Sequence, residues 1–314
     1  MDSPRIGISR FDGFGKTEDG GGMEMLLDPY RLDETTGILV PPTRVCHREQ
    51  DYDSRGHDRL AAMQRDHFWY QGRHRFLLHA VRKWALPHFP PDSSPRVIDL
   101  GGGCGGWVRY LAAASPWLAA ELALGDSSAH ALGLAAGFLP TSTLRFQTDI
   151  LDLQWTDRWD CAFLLDVLEH ISDHEGALHG IRQAVAPGGL LFVTVPALKT
   201  FWSYVDEVGH HQRRYQVGDF APLAHATGWE LLDCRYFMFF LSPLLWLQRS
   251  SQARAVGQLT SDQRLELAQK GDEVPPWLIN QGLGVIFASE TPIGHLFRFP
   301  WGTSILAVMR KTRE

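Results

Sequence analysis

The sequence predicts a doubly wound α/β domain built on a mostly parallel sheet. From Val97 to about Phe240, short apolar runs alternate with helical stretches. That is the pattern of strands joined by crossover helices. The stretch V-I-D-L-G-G-G-C-G-G, 97–106, reads as a buried strand running into a glycine turn, with W-V-R-Y-L-A-A-A as a helix directly behind it. Apolar Val97, Ile98 and Leu100 suit a parallel strand covered on both faces. The chain has 314 residues, 44% hydrophobic and 21% charged, an ordinary globular composition.

The elements follow in order. Residues 1–57 are rich in Gly, Asp, Pro and Arg and are expected to be an irregular N-terminal extension, with a flexible break at Gly20–Gly22. Residues 58–240 are expected to form the main domain. It opens with apolar residues at helical spacing from Leu60 through Met63, Phe68, Phe76, Leu77 and Val81 to Trp84, and Pro87 ends that segment. Strands are expected at Val97–Leu100, Leu122–Gly125, Leu144–Gln147, Trp159–Leu165, Leu190–Val195 and Trp229–Phe237. Helices are expected to begin near Gly106, Ser128, Glu175 and Val217, and A-P-G-G (186–189) is read as a turn. Residues 241–314 form a C-terminal extension whose T-S-I-L-A-V-M-R-K completes the sheet as a final strand.

Composition excludes several classes. A formal net charge of -6 argues against a general nucleic-acid binder. Cys46, Cys104, Cys161 and Cys234 stand far apart, so neither a zinc site nor a disulfide framework is indicated. The N-terminus has no apolar signal core, and a reducing cytoplasm is the expected location. The apolar run Tyr236–Leu247 is too short to span a bilayer, so no transmembrane segment is expected.

The glycine loop carries the first chemical statement. Gly101, Gly103 and Gly105 let the backbone turn tightly and approach a ligand, and the following helix turns free N–H groups toward it. The pattern Asp99-x-Gly101-x-Gly103-x-Gly105 differs from the dinucleotide fingerprint. An acid before the glycines repels phosphate and welcomes a cation. A ligand with a nucleoside, an ammonium group and no phosphate fits, and S-adenosylmethionine is one. Further polar groups fall at later strand ends. Asp126 could accept from ribose hydroxyls or cap a helix, as could Ser127. Asp149 could accept from an adenine amino group with Ile150 on the ring, or serve a turn. Asp166, Glu169 and His170 stand at the rim of the fourth strand.

In order and spacing, V-I-D-L-G-G-G-C-G-G, G-D-S-S, T-D-I, L-L-D-V-L-E-H-I and A-P-G-G resemble the class I S-adenosylmethionine-dependent methyltransferases, with their Rossmann-like fold. H-F-W-Y-Q-G-R-H-R-F is similar to the opening helix of one subgroup, H-F-W-F-x-x-R. T-V-P-A-L-K-T-F-W-S-Y-V-D-E-V-G-H-H-Q-R-R-Y is similar to its W-S-x-x-D-E-x-x-H-H-x-R-R-Y signature, and F-P-W-G-T-S-I-L-A-V-M-R-K matches its ending. The resemblance spans about 60–314 and is loose from about 248 to 275. Y-R-L-D-E-T-T-G-I-L-V-P-P (30–42) resembles the edge of a small zinc ribbon without its cysteines, so a vestigial packing segment is expected there.

The resemblance implies an enzyme using S-adenosylmethionine and releasing S-adenosylhomocysteine. Asp99, Gly101, Gly103 and Gly105 would hold the methionine end, with Asp166 beside them. Asp126 and Ser127 would serve the ribose, and Asp149 and Ile150 the adenine. Arg73 could pair with the methionine carboxylate or simply solvate a helix face. The expected reaction is O-methylation of a small-molecule, natural-product, glycan or lipid intermediate; N- or C-methylation and a non-catalytic scaffold are the alternatives. Candidate bases are His211, His170 and His210. Trp202, Tyr204, Arg213, Arg214 and Tyr215 would meet the acceptor, with one arginine of the pair structural. Asp166, Glu169 and His170 resemble the E-x-x-E-H metal cluster of some quinone O-methyltransferases. The shorter Asp166 departs from it, so no metal is expected.

Overall fold

The computed structural model describes residues 29–48, 56–90, 93–118, 121–256, 259–260, 263–264, 266–267 and 273–313. The expected break at Gly20–Gly22 lies outside them. Nine strands form one sheet: β1 Arg31–Asp33, β2 Ile38–Val40, β3 Arg96–Leu100, β4 Glu121–Asp126, β5 Leu144–Gln147, β6 Trp159–Leu165, β7 Val185–Pro196, β8 Trp229–Phe237 and β9 Ser304–Lys311. Their spatial order is β1-β2-β5-β4-β3-β6-β7-β9-β8. The centre from β5 to β7 is parallel, while β9 runs antiparallel to both β7 and β8. The order reverses between β3 and β6, so the chain leaves a crevice beyond the C-terminal ends of these two strands, where open α/β sheets take ligands.

The helices are α1 His57–Asp66, α2 Phe68–Trp84, α3 Gly106–Ala114, α4 Ala129–Ala135, α5 His174–Ala184, α6 Tyr204–Val208, α7 Phe220–Ala226, α8 Ser242–Val256 and α9 Trp277–Leu296. Two apolar layers bury the sheet. One holds Trp159, Phe146, Leu164 and Val193 beneath α5 and α7. The other holds Trp107, Phe163, Phe192 and Phe76 beneath α2 and α3.

Four expectations are corrected. The segment from 58 to 84 is two helices, because His67 takes an extended conformation (ψ 134°) and its ring Nδ1 accepts from Trp69 N–H at 3.1 Å. The N-terminal extension is not wholly irregular. A β1–β2 hairpin turns at Gly37 (φ +66°) and adds to the sheet through Leu39 opposite Phe146. Tyr30 fastens it, stacking on Trp155 at 4.7 Å and bonding Thr148 Oγ1 at 2.8 Å. The expected turn at A-P-G-G is a bulge within β7, where Val185 faces Trp159 but the next paired residue, Leu190, faces Cys161, with positive φ at Gly188. The last helix before β8 starts at Phe220, after a short 3-10 turn over Val217–Asp219.

Phe146 meets Tyr30, Trp155 and Trp159 edge to face at 5.0, 5.1 and 5.9 Å. Truncating it empties the point where the hairpin joins the parallel sheet. Phe146→Ala should therefore cost about 3–5 kcal/mol in urea unfolding. A loss near zero would show that the hairpin is not part of the cooperative core.

Candidate functional site

The glycine loop after β3 is held from three sides. Gly101 N–H donates to Gly125 O at 2.7 Å, and Gly103 N–H donates to Asp126 Oδ2 at 2.9 Å. Gly101, Gly103 and Gly105 all have φ between +57° and +77°, backbone that side-chain-bearing residues avoid. The third support was not read from the sequence. Gln64 of α1 donates to Gly102 O at 3.3 Å and accepts from Gly106 N–H at 3.0 Å. It therefore caps the first turn of α3 from a helix lying across the loop. Its only sequence signal is that His57 and Gln64, seven apart, share the buried face of α1.

Three acids gather where β3, β4 and β6 end. Asp99 is buried, and its Oδ1 has no hydrogen-bond partner. Burial pushes its carboxyl up to about 8; Arg73 opposes that and Asp126 adds to it. Asp126 spends one oxygen on Gly103 N–H and the other on Ser128 N–H at 2.8 Å. Ser128 then caps α4. Asp166 closes β6 with φ +56° and pairs with Arg73. Arg73 is buried, and its guanidinium lies 5.0 Å from the ring centroids of both Trp69 and Tyr70. It is not a solvated helix residue.

The ends of β4 and β5 carry contacts from the N-terminal segment. Ser127 Oγ bonds His47 Nδ1 at 2.8 Å, and Asp149 pairs with Arg48 while accepting Leu151 N–H at 3.0 Å. Ile150 beside it is half-buried. Neither His47 nor Arg48 stood out in the sequence, because nothing local ties them to strand ends a hundred residues away.

The second half of the site is organised by Asp206. It is buried, accepts from Ser203 N–H at 2.8 Å, and faces His211 Nδ1 at 3.0 Å and Arg214 Nε at 2.7 Å. Burial alone would raise its carboxyl. The His211 hydrogen bond and the Arg214 guanidinium outweigh that and hold it well below the usual range. The His170 ring stands edge-on to His211 at 4.7 Å. Glu169 lies buried beside them with Oε2 unpartnered, and burial, then the Asp166 charge, raises it well above a normal carboxyl. Glu169, His170 and His211 bring one ligand-type atom each within 4.8 Å of one another. Asp166 is not of this group, since Arg73 takes it.

The structure places the expected acceptor-side residues as follows. Arg214 is buried between Asp206 and Ala197 O, because the polar loop needs a cation inside it. Tyr215 is buried, with its hydroxyl on His174 Nδ1 at 2.9 Å. Both have polar groups bonded within the fold. His210 is exposed with φ +58°. Trp202 is 37% exposed and is not part of the apolar pocket here, a space of about 330 Å³ lined by Leu198, Thr200, Phe201, Ser242, Pro243, Trp246 and Trp301. Arg213 stays half-exposed, donating to Ser172 O at 2.9 Å, and Tyr204 is half-buried at the start of α6.

A family model described as a methyltransferase domain matches residues 61–233, more than half of the chain. The chain belongs to this methyltransferase family. It is an S-adenosylmethionine-dependent methyltransferase of class I. No curated protein matches in sequence. Among solved structures, the [4+2]-cyclase SpnF is similar at 17% identity with a TM-score of 0.55, over 86% of this chain and 98% of that one. A chain from the complex of the Haloferax volcanii Trm112 methyltransferase activator and its methyltransferase partner gives 15% identity and 0.50, over 85% and 99%. At these identities the likeness speaks for the fold. The cofactor's demands agree with the residues present: an orphaned buried carboxylate oxygen at Asp99 for a cationic donor, and a tight loop at Gly101, Gly102, Gly103 and Gly105, where a Cβ would meet the side chains of Val167, Asp99, Leu60 and Leu139 within 3.0 Å.

The raised Asp99 carboxyl has a consequence for the cofactor-free methyltransferase. The folded state keeps a proton that the unfolded chain releases above its ordinary value of 3.8, up to about 8. Stability on this account falls as pH rises through that window. Asp99→Asn, neutral at every pH, should raise the thermal midpoint of the free protein at pH 8 and leave it nearly unchanged near pH 4. The gain should be at least ~1 kcal/mol, since one pKa unit is worth about 1.4. Equal midpoints at pH 8 would remove the protonated Asp99.

Proposed function

We propose that this methyltransferase methylates an oxygen of a small-molecule acceptor, a natural-product, glycan or lipid intermediate, with His211 as general base. The observation that carries it is the Asp206–His211 contact at 3.0 Å, with Asp206 fixed in turn by Arg214. A carboxylate on Nδ1–H selects the tautomer whose Nε2 is basic, and stabilises the ring once it takes a proton. A hydroxyl acceptor needs that proton removed as its oxygen attacks; a neutral amine needs it less.

When bound, S-adenosylmethionine supplies a methyl group on a good leaving group. In this reading Asp99 meets its ammonium and Arg73 orients the methionine end alongside Asp166. Asp126 and Ser127 serve the ribose, and Asp149 with Ile150 the adenine. The Asp126 and Asp149 carboxylates already bond backbone N–H groups, which fixes their orientation and leaves lone pairs for a ligand. Arg48 and His47 cover that end. Glu169, whose carboxyl burial raises well above its ordinary value, sits beside His170 and His211 on the acceptor side, and half-exposed Arg213 is the cation available to an acceptor's acidic or hydroxyl groups.

His211→Ala should lower turnover by about a hundredfold or more while S-adenosylmethionine affinity, read by calorimetry, stays within roughly twofold. Normal turnover would move the base to His170 or indicate an acceptor that needs none. Lost cofactor affinity would mean the loop serves the other side of the site.

A further inference from the structure

The C-terminal helix α9 is built inside out. Its inward face carries Asn280, Glu290 and Thr291 beside Phe287 and Gly294. Those polar groups have structural work. Asn280 Oδ1 accepts Phe68 N–H at 2.8 Å and its Nδ2 donates to Asp66 O at 2.9 Å, closing the α1–α2 break. Glu290 accepts Phe240 N–H at 2.9 Å. The outward face is mostly apolar instead, with Gln281 and Ser289 as exposed polar residues on it. Leu278, Val285, Ile293 and Leu296, spaced for one side of a helix, are 76, 68, 40 and 77% exposed. A helix facing water carries the reverse pattern, and an apolar surface this extended marks an interaction site.

The rim of the face is aromatic. Trp277 at its start is 71% exposed and Phe297 just past its end 63%. Trp301 Nε1–H bonds Ser242 Oγ at 3.2 Å, which brings the first turn of α8, with exposed Leu244, Trp246 and Leu247, next to this end. Between Trp277 and Phe297 the one acid, Glu290, is buried, and the exposed charge that follows is Arg298, which shares buried Asp233 with Arg235 and Lys83 and so leaves net positive charge at that margin. Uncharged apolar side chains, tryptophans at the edges and a cation at the margin suit a lipid–water boundary with anionic headgroups. No described helix is long and apolar enough to cross a membrane, so this one would lie along the surface.

The apolar pocket favours lipid over a second copy of the chain. Trp246 and Trp301 belong to both the exposed rim and the lining, so the pocket opens on this face. Its far wall, Leu198 and Phe201, starts the loop that carries Asp206 and His211. We propose that α8 and α9 dock on an anionic lipid surface, and that the pocket takes the apolar part of an amphiphilic acceptor from it. The pocket's role rests on the acceptor reading above; the docking does not.

The test is sedimentation of the full chain with phosphatidylcholine vesicles carrying a minority of phosphatidylglycerol. The comparison is with Leu278→Glu/Val285→Glu/Leu296→Glu, three exposed positions whose change leaves the core intact. Wild type should partition onto vesicles at least ~10-fold better than the variant, while both bind S-adenosylmethionine within about twofold. Quenching of wild-type tryptophan fluorescence by brominated phosphatidylcholine in the same vesicles gives a readout that needs no variant. Wild type that stays in the supernatant unquenched overturns the proposal. So does equal partition by a folded triple variant, or a wild-type dimer in sedimentation velocity that ignores vesicles and that the variant converts to monomer. Vesicle binding without cofactor binding would keep this proposal and sink the cofactor site.

Discussion

A cluster of three acids at the sheet's switch point governs the rest of the site. Asp99, Asp126 and Asp166 end β3, β4 and β6, and Arg73 is the cation placed among them by α2. Arg73 neutralises Asp166. Asp126 spreads its charge over two backbone N–H groups. Asp99 has no such bond to its Oδ1, and burial outweighs the pull of Arg73, so it stays protonated up to about pH 8. A buried carboxyl without a partner is costly, and the fold retains it where a cationic ligand would supply the missing partner. Helix α1, the glycine turns and the aromatic seat of Arg73 all keep that place shaped.

A second constraint acts on the acceptor side. Asp206 gathers Ser203, His211 and Arg214 around one buried carboxylate, so a loop of ten mostly polar residues has a fixed interior. The two halves meet at Glu169, whose carboxyl lies close enough to Asp166 for their charges to interact, while its backbone oxygen accepts Gln212 N–H at 2.9 Å. The end of β6 thus links the cofactor acids to the histidine pair.

β6 was legible because a parallel strand buried on both faces must be a short apolar run, and it lies where that run lies; β5 and the antiparallel edge strand β8 also lie where expected. The β1–β2 hairpin was not, because three-residue strands are too short to show a period. The break at His67 was hidden because histidine is not a usual cap. For the site, acids at strand ends could be named from topology alone. Gln64, His47 and Arg48 could not, since only tertiary contact brings them to the loop. In D-E-V-G-H-H-Q-R-R-Y the residue types were plain but their burial was not. One arginine of the pair was expected to be structural; the structure shows that it is Arg214, and that Tyr215 is interior as well.

The protonation of Asp99 can be watched directly. Infrared difference spectra recorded at pH 7 before and after S-adenosylmethionine is added should show loss of a protonated carboxyl stretch and gain of a carboxylate band. Both changes should vanish in Asp99→Asn. A spectrum without that exchange, or one that the variant reproduces, would contradict a buried neutral acid that ionises to receive the cofactor's cation.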